Sequence, residues 1–230
     1  MTTATNVLDF DSAIQLTLGK AVSFPGKLQS GFWWAPEIRS RSSLQQVPSL
    51  TYSDVASSRS IVLIGFMGTG KSLVGKILEQ QTGFRRFDTD EIISQKLKMP
   101  IEEIFSAHGE ESFRELETET LRSLSIEEPA IIVTGGGTVL RSENVDLLRQ
   151  MGTVVWLDAD EATLRTRIHR LDNRPLLRTA NPKATLSELL EARQPLYNRA
   201  ADLRVDTAKK NPEQIAELIL KNIRDFPVGE

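Results

Sequence analysis

The segment Ile61-Val62-Leu63-Ile64 runs directly into Gly65-Phe66-Met67-Gly68-Thr69-Gly70-Lys71-Ser72, which is followed by the apolar residues Leu73, Val74, Ile77 and Leu78. The first run predicts a buried strand, and the apolar spacing after the glycines predicts a helix. Between them stands the complete pattern G-x-x-x-x-G-K-[ST], a phosphate-binding loop (P-loop) in its usual strand–loop–helix context. The segment therefore predicts that the chain binds ATP or GTP.

The fixed positions of this loop have separate chemical tasks. Glycines let the backbone N–H groups point inward at a polyphosphate, which also lies at the positive end of the helix dipole. Lys71 supplies a mobile charge for the β- and γ-phosphates, and the Ser72 hydroxyl is placed to ligate Mg²⁺. The alternative is a chance glycine loop between a strand and a helix, and it is disfavoured because every fixed position is filled.

The composition indicates one globular α/β domain with a modest appendage. The chain has 230 residues and a formal net charge of −3, so no global basic field predicts nucleic acid or an anionic membrane as a partner. Cysteine is absent, which excludes disulfides, thiolate zinc sites and thiol nucleophiles and fits a reducing cytosol. The start also lacks the basic stretch and unbroken apolar core of a secretory signal. We expect a cytoplasmic enzyme that acts on small molecules.

Residues 1–58 differ from the rest of the chain, because they are rich in Ser, Thr, Gln and Pro and show weak apolar periodicity. Their two apolar islands lie at Ile14–Leu18 and at Phe32-Trp33-Trp34. Three interpretations stay open: a disordered tail, a short interaction segment that uses the tryptophan pair, or a translation start placed too far upstream. We favour the disordered tail, since this composition buries too little apolar surface to offset the entropy of ordering.

From residue 59 onward, strand and helix patterns alternate, which predicts a three-layer α/β/α fold around a five-stranded parallel sheet. The third and fourth strands are continuous apolar runs, typical of strands buried on both faces, so Trp156 is expected in the core. The predicted strands are 60–65, 85–88, 130–134, 153–158 and 202–206. The predicted helices are 70–82, 101–126 with a break at Gly109, 142–150, 160–170, 185–199 and 211–224.

The second predicted strand ends in Asp88-Thr89-Asp90, at the edge of a parallel sheet where ligands gather. If the strand geometry persists, both carboxylates point the same way and face the phosphate site. A P-loop phosphotransferase uses one acid near its metal ion and another beside the acceptor hydroxyl. The alternative is that Asp90 caps the next helix, which would start at Glu91-Ile92-Ile93.

Three glycines, Gly135-Gly136-Gly137, follow the third predicted strand. They permit positive φ angles and a close approach of the backbone to a small ligand. A flexible strand-to-helix turn explains them equally well. The glycines alone therefore do not decide between a binding loop and a turn.

Four arginines lie in segments that could reach a ligand: Arg114, Arg167, Arg174 and Arg193. Any one of them would ordinarily be a solvated surface residue. Arg174 belongs to the segment 171–184, whose asparagines and prolines predict a mobile loop. Such a cationic loop suits a phosphotransferase, because it closes over the phosphates, excludes water and offsets developing negative charge. Guanidinium groups also bind a carboxylate through paired hydrogen bonds.

Together these motifs resemble the shikimate kinases, in the nucleoside-monophosphate-kinase-like branch of P-loop proteins. The resemblance spans residues 60–224 and rests on motifs that occur in the family's order. They are the P-loop, Asp88-Thr89-Asp90, Phe113-Arg114, Gly135-Gly136-Gly137, Arg174-Pro175-Leu176-Leu177 and Arg193-Gln194-Pro195-Leu196-Tyr197. The P-loop is common to many unrelated proteins, whereas the combined set is specific. It implies a kinase domain over residues 59–230, with a mobile lid at about 171–184 and a small substrate-binding helical region.

The resemblance implies transfer of the γ-phosphoryl group of ATP to the 3-hydroxyl of shikimate, on the route to chorismate and the aromatic amino acids. The implied ATP contacts are Gly68, Thr69, Gly70, Lys71, Ser72, Leu73, Arg167 and Arg174. The implied Mg²⁺ contacts are Ser72 and, through water, Asp88.

For shikimate, the resemblance implies Asp90 at the reacting hydroxyl and Arg114 and Arg193 at the carboxylate. It adds backbone contacts from Gly136 and Gly137 and apolar packing by Ile101, Phe105 and Phe113. The implied catalytic residues are Lys71, Asp90 and Arg174. The family is usually monomeric, so a monomer is expected.

Two features depart from the family pattern. Leu73 stands where many members have Thr, so a side-chain contact to the α-phosphate is lost and a mild effect on ATP affinity is expected. The extension 1–58 is absent from the family's minimal domain.

Three other interpretations are a kinase of the gluconate type, an inactive protein that keeps the fold, and a docking role for the extension. The glycine run together with both arginine motifs disfavours the first. The presence of Lys71, Asp90 and Arg174 disfavours the second. The tryptophan pair is the one feature that favours the third.

Overall fold

The computed structural model describes residues 59–168 and 175–223 of the chain. The predictions for the extension 1–58, for residues 169–174 and for residues 224–230 lie outside this described part. Arg174 and the first part of the expected lid are among them. The domain boundary near residue 58 and the role of Arg174 therefore stay predictions.

Within the described part, five parallel strands form the central sheet. They are β1 (Ser60–Ile64), β2 (Arg85–Asp88), β3 (Ala130–Val133), β4 (Gly152–Asp158) and β5 (Leu203–Asp206), each within a residue of its predicted bounds. Their order across the sheet is β2-β3-β1-β4-β5. Because β1 lies between β3 and β4, the loop that leaves β1 opens at the middle of the carboxyl edge, where ligands of such sheets bind.

Helices cover both faces of this sheet. The described α-helices are α1 (Lys71–Thr82), α2 (Thr89–Leu97), α3 (Ile101–Ser123), α4 (Ser142–Met151), α5 (Glu161–Ile168), α6 (Pro182–Ala200) and α7 (Pro212–Ile223). Short 3₁₀ helices occur at Thr138–Leu140 and Pro175–Leu177. No helix in the described ranges is long and apolar enough to cross a membrane.

The alternation of side chains along the strands divides the core into two layers. Ile61 and Leu63 belong to one layer, together with apolar residues of α1 and α7. Val62 and Ile64 belong to the other, together with residues of α3, α4, α5 and α6. This is the period of two expected of a strand buried on both faces. The three-layer prediction is confirmed, and so is the core position of Trp156, which is 3% exposed.

The helix α2 is missing from the predicted set of helices, although a helix after Asp90 was considered. It follows β2 without a connecting loop, because Asp88 both ends the strand and caps the helix. The Asp88 carboxylate accepts the backbone N–H of Asp90 at 3.2 Å. The helix ends at Leu97, and its C-terminal cap is Lys98, whose φ of 53° occupies the left-handed position where glycine is the usual signal. The start of α2 thus carries a usual helix signal, an aspartate cap, whereas its C-terminus lacks the usual glycine.

The structure confirms one break and corrects another boundary. Gly109 interrupts α3 with φ 79° and ψ 175°, as the predicted break requires. The segment 171–184, in contrast, was expected to be loop throughout, but α6 begins at Pro182. Proline suits the first position of a helix, where its missing N–H costs no hydrogen bond. Asn181 supplies the cap, accepting the N–H of Ala184 at 3.2 Å.

Candidate active site

The loop between β1 and α1 is shaped by its glycines and its lysine. Gly65, Gly68 and Gly70 have φ angles of 142°, 82° and 94°, which favour glycine over residues with a side chain. The Lys71 ammonium donates to the carbonyl oxygens of Gly65 at 2.8 Å and Phe66 at 3.0 Å. The lysine therefore lies across the loop at the N-terminus of α1, within reach of an anion held there.

Three further residues of this loop differ in exposure and in the contacts they make. Thr69 is buried, and its hydroxyl donates to the carbonyl oxygen of Phe66 at 2.8 Å, so this side chain serves the loop itself. Ser72 is exposed in the first turn of α1, where its hydroxyl is open to a ligand. Leu73, the departure from the family pattern, is 53% exposed and adds an apolar surface beside it.

Arg167 of α5 joins the P-loop to the segment after β5. Its guanidinium donates to the carbonyl oxygen of Gly68 at 3.3 Å. It also donates to the hydroxyl of Thr207 at 3.0 Å and to the Thr207 carbonyl oxygen at 2.7 Å. The structure thus places Arg167 beside the P-loop, and its contact with ATP stays a prediction. Thr207 was not predicted, since no motif signals it.

The two predicted acids lie at the end of β2 and the start of α2. The prediction that both carboxylates point the same way assumed that strand geometry continues from Asp88 to Asp90. It does not continue, because the strand ends at Asp88 and helix geometry begins at Thr89. Asp88 is buried and caps α2, so the alternative in which Asp90 is the cap is wrong. Asp90 instead stands in the first helical turn and lines a pocket at the carboxyl edge of the sheet. Arg86, which was not predicted, lies 3.4 Å from the Asp88 carboxylate.

That pocket collects residues from widely separated parts of the chain. The aromatic rings of Phe105 and Phe113 lie 4.5 Å apart between their centroids and form one wall. The lining residues are Met67, Asp90, Ile101, Phe105, Phe113, Arg114, Glu117, Gly135, Gly136, Gly137, Leu176 and Arg193. All the residues that the family resemblance assigned to shikimate are in this set. The pocket pairs an apolar wall with two guanidinium groups and two carboxylates.

Arg114 is buried in this pocket and held by two carboxylates of α3. It donates to Glu110 at 2.8 Å and forms a short ion pair with Glu117. Burial, the largest single influence on the pKa of Arg114, lowers it, but the charges and hydrogen bonds of Glu117 and Glu110 outweigh burial and raise the pKa. Glu117 is fully buried and also accepts the Thr138 hydroxyl at 2.7 Å. A buried carboxylate that neutralises a buried cation fixes the direction of the guanidinium.

Glu117 is the residue of this site that sequence reasoning missed. Its signal was available, since it lies three residues after Arg114 on the same helix, among the buried positions Leu116 and Leu121. Residues three apart on a helix are neighbours on its surface. A carboxylate within an otherwise apolar helical stripe, next to an arginine, therefore predicts a buried ion pair.

Two of the three glycines after β3, Gly135 and Gly137, are required by close contacts with neighbouring side chains. A side chain at Gly135 would overlap the carboxylate of Glu117 and approach that of Asp90 to 2.9 Å. A side chain at Gly137 would overlap the guanidinium of Arg114. At Gly136, a Cβ atom would lie 3.4 Å from the backbone nitrogen of Met67 in the P-loop. Of the two interpretations of this segment, these contacts favour the close-approach loop over the flexible turn.

Arg193 reaches the same loop from α6. It is 3% exposed, and its guanidinium donates to the Gly136 carbonyl oxygen at 3.4 Å. The Tyr197 hydroxyl donates to that same oxygen through a short hydrogen bond. Arg193 and Arg114 thus both lie against the glycine loop, at Gly136 and at Gly137 respectively.

The described part of the expected lid contributes one residue to the pocket. Leu176, in the 3₁₀ helix Pro175–Leu177, lines the pocket. Arg178 follows it and forms an ion pair with Glu102 of α3 at 3.0 Å. These contacts connect the segment before α6 with the start of α3, and its movement stays a prediction.

Two side chains assigned to Mg²⁺ by the family resemblance, Ser72 after the P-loop lysine and Asp88 at the end of β2, have oxygens of the type that suits this ion. Among residues 59–168 and 175–223, no three His, Cys, Asp or Glu side chains cluster as a metal cage. Mg²⁺ is commonly bound by one or two protein oxygens together with phosphates and water, rather than by an all-protein cage. The exposed hydroxyl of Ser72 and the carboxylate of Asp88 supply such oxygens.

A parallel sheet in the order 2-3-1-4-5, a P-loop after its central strand and a pocket beside that loop define a P-loop nucleotide-binding α/β protein. The model of the family described as shikimate kinase matches residues 67–224. The chain is 44% identical over 172 residues to a shikimate kinase of Thermodesulfovibrio yellowstonii, covering 75% of this chain and 99% of that one. It is 42% identical over 170 residues to one of Geobacter sulfurreducens, covering 74% and 93%.

Solved structures agree with this result. A shikimate kinase from Acinetobacter baumannii in complex with shikimate superposes with a TM-score of 0.71 at 34% identity, covering 74% of this chain and 96% of that one. A shikimate kinase from Aquifex aeolicus gives a TM-score of 0.60 at 34% identity, covering 71% and 95%. The chain belongs to the shikimate kinase family.

Proposed function

We propose that this chain transfers the γ-phosphoryl group of ATP to the 3-hydroxyl of shikimate, giving shikimate 3-phosphate and ADP. The main support for this proposal is that the P-loop and the pocket lie directly beside each other. Met67 belongs to the P-loop and also lines the pocket, and Gly136 lies against the P-loop backbone. A small acceptor in the pocket would therefore sit next to the terminal phosphate of a nucleotide on the loop.

The chemistry of the pocket matches a small hydroxylated carboxylic acid. Two buried guanidinium groups, Arg114 and Arg193, supply paired donors for a carboxylate. Phe105 and Phe113 offer an apolar face for a carbon ring. Asp90 accepts hydrogen bonds from hydroxyl groups. An acceptor that is held at its carboxylate presents one hydroxyl to the phosphorus, which is the positioning that phosphoryl transfer needs.

In the proposed reaction, the 3-hydroxyl oxygen forms a bond to the γ-phosphorus while the bond between that phosphorus and the bridging oxygen of ADP breaks. Asp90 orients the hydroxyl and accepts its proton. Lys71 moves from its loop carbonyls to the β- and γ-phosphates, where its charge offsets the negative charge that develops. Arg167 remains at the edge of the nucleotide site, next to Gly68. Arg174 is proposed to complete the cationic surround from the lid.

We propose Mg²⁺ as the metal ion, held by the hydroxyl of Ser72 and, through water, by the carboxylate of Asp88. When bound, the ion neutralises phosphate charge and fixes the geometry of the polyphosphate. A cytoplasmic location and a monomeric state belong to the same proposal. Both rest on composition and on the family resemblance.

The test is a coupled assay of ADP release with ATP and Mg²⁺, comparing shikimate, gluconate and no acceptor. Turnover that depends on shikimate is expected. A Lys71→Met variant, purified in the same way, controls for kinases of the expression host and should be inactive. If the folded wild-type chain binds ATP but releases no more ADP with shikimate than without it, the proposed acceptor is wrong.

A further inference from the structure

Tyr197 connects the hydrophobic core to the glycine loop of the pocket. Its side chain is 1% exposed, and its ring stacks against that of Trp156 with 5.9 Å between the centroids. Its hydroxyl nevertheless donates a hydrogen bond to the carbonyl oxygen of Gly136. Burial raises the pKa of this hydroxyl, so it stays protonated and remains a donor at any pH at which the protein would work.

The carbonyl that Tyr197 holds belongs to the peptide bond between Gly136 and Gly137. No described peptide bond is cis, so the N–H of Gly137 points away from this carbonyl. On the carbonyl side, Arg193 donates to the same oxygen at 3.4 Å. On the other side, Gly137 lies so close to Arg114 that a side chain there would overlap the guanidinium. The Gly136–Gly137 peptide is thus in close contact with both guanidinium groups of the pocket.

From this geometry we infer that Tyr197 is a positioning residue for the acceptor carboxylate, acting through the Gly136–Gly137 peptide and the two arginines beside it. The inference rests on the proposed function, because it assigns Tyr197 to the same pocket. The hydroxyl anchors the carbonyl to a rigid, stacked ring. The anchored peptide then sets the spacing of Arg114 and Arg193 and the direction of the Gly137 N–H.

Arg193 alone is a weaker anchor than Tyr197. Its contact to Gly136 is 3.4 Å long, at the outer limit of a hydrogen bond, and its guanidinium must also be able to turn toward a ligand. Two freely rotating glycines would otherwise give this peptide several orientations. The tyrosine lies four residues after Arg193 on α6, so both side chains emerge from one face of the helix.

The test removes the hydroxyl and keeps the ring, in a Tyr197→Phe variant of the full chain. Steady-state kinetics should show a shikimate KM that rises about fivefold, which corresponds to one net hydrogen bond. The kcat and the KM for ATP should stay within about twofold of the wild type, because no group of the nucleotide site is changed. An unchanged shikimate KM would overturn the inference.

A second variant separates positioning from general loosening of α6. Leu190 lies on this helix, is 6% exposed and belongs to the core without lining the pocket. Leu190→Val should lower the melting temperature and leave the shikimate KM unchanged. If it raises the shikimate KM as much as Tyr197→Phe does at a similar loss of stability, the effect of Tyr197 is structural and the inference is wrong.

A double-mutant comparison tests the route through the arginine pair. If the Tyr197 hydroxyl acts by setting the spacing of the two guanidinium groups, removing it should have little further effect on the shikimate KM when Arg193 is already absent. The variant R193A/Y197F should then have a shikimate KM within about twofold of R193A alone, whereas independent roles would multiply the two effects and contradict the inference.

A wild-type chain without shikimate turnover would overturn the proposed function itself. Normal wild-type turnover with an unaltered Tyr197→Phe variant would overturn only this inference.

Discussion

The nucleotide side and the acceptor side of this molecule are built in different ways. The nucleotide side is largely one continuous segment, residues 65–72, whose backbone N–H groups and single lysine are expected to bind the phosphates. The acceptor pocket combines α2, α3, the glycine loop, the 3₁₀ helix Pro175–Leu177 and α6. The first site is therefore specified by local sequence, whereas the second exists only when the whole domain has folded.

The two sides also differ in how their charges are held. Lys71 lies on backbone carbonyls at the start of a helix, and the phosphate of a nucleotide would replace those contacts. Arg114 is buried against Glu117, which is itself fully buried, so the acceptor side carries an ion pair that is part of the fold. Changes to the acceptor side should therefore affect stability as well as binding, while changes to the nucleotide side should mainly affect catalysis.

The largest effect is expected from Asp90→Asn, at the border of the two sides. If Asp90 accepts the proton of the reacting hydroxyl, kcat should fall by about 10²- to 10⁴-fold. ATP affinity, measured by calorimetry without an acceptor, should change little. The neighbouring Glu91→Gln variant is the control, because Glu91 is exposed and pairs with Arg86. Losses of similar size in turnover and in ATP binding would instead assign Asp90 a structural role.

The next largest effect is expected from Glu117→Gln, on the stability of the domain. Comparing it with Glu110→Gln shows whether a buried and an exposed carboxylate partner of Arg114 contribute differently. Removing the charge of Glu117 leaves Arg114 buried beside a neutral group, and the free energy of unfolding should fall by roughly 3 kcal/mol. Glu110 also accepts a hydrogen bond from Arg114 and pairs with its charge, but the Glu110 side chain is 45% exposed. Glu110→Gln should therefore cost less than about 1 kcal/mol.

Chemical denaturation of both variants measures this difference directly. The shikimate KM of Glu117→Gln should also rise, since the guanidinium is no longer fixed in direction, while its KM for ATP should not. Equal stability losses in the two variants would show that burial of the pair does not decide its contribution. A rise in the KM for ATP would show that the acceptor side and the nucleotide side are less separate than the structure indicates.

Arg193→Ala tests whether the pocket binds a carboxylate with two arginines. Loss of a charge-assisted hydrogen bond costs about 1.5–3 kcal/mol, so the shikimate KM should rise by roughly 10- to 100-fold with a smaller effect on kcat. Arg199 lies on the same helix and is exposed, so Arg199→Ala should leave both KM values unchanged. An unaltered shikimate KM in Arg193→Ala would remove this residue from the carboxylate site.

The same contrast explains what the sequence could and could not predict. Five strands and the P-loop are local patterns, and each was recognised within a residue of its position. Arg114, Arg193 and the glycine loop were assigned through a family resemblance, and the structure brings them together in one pocket. The contact of Thr207 with Arg167 and that of Tyr197 with Gly136 depend on which elements meet across the fold. No run of neighbouring residues records such a meeting, so both contacts were missed. Glu117 is different, because its position three residues after Arg114 on one helix was a local signal that was overlooked.

The helix α2 was missed for a different reason, and that reason yields the prediction with the smallest effect. The helix α2 begins directly after the last residue of β2, and Lys98 rather than glycine caps its C-terminus, although the φ of 53° at Lys98 favours glycine. Lys98→Gly should remove this strain and stabilise the domain by roughly 0.5–1 kcal/mol. Thermal unfolding should show a melting temperature higher by roughly 2 °C.

Because Lys98 is at the opposite end of α2 from Asp90, this variant also tests how firmly Asp90 is held. The cap at Asp88 and the start of α2 fix Asp90 independently of the last turn. The kcat and both KM values of Lys98→Gly should therefore equal those of the wild type. A change in kcat alongside the gain in stability would mean that the whole helix, and not its first turn, sets the position of the carboxylate. The geometry of the acceptor side would then depend on more of the fold than the residues that line the pocket.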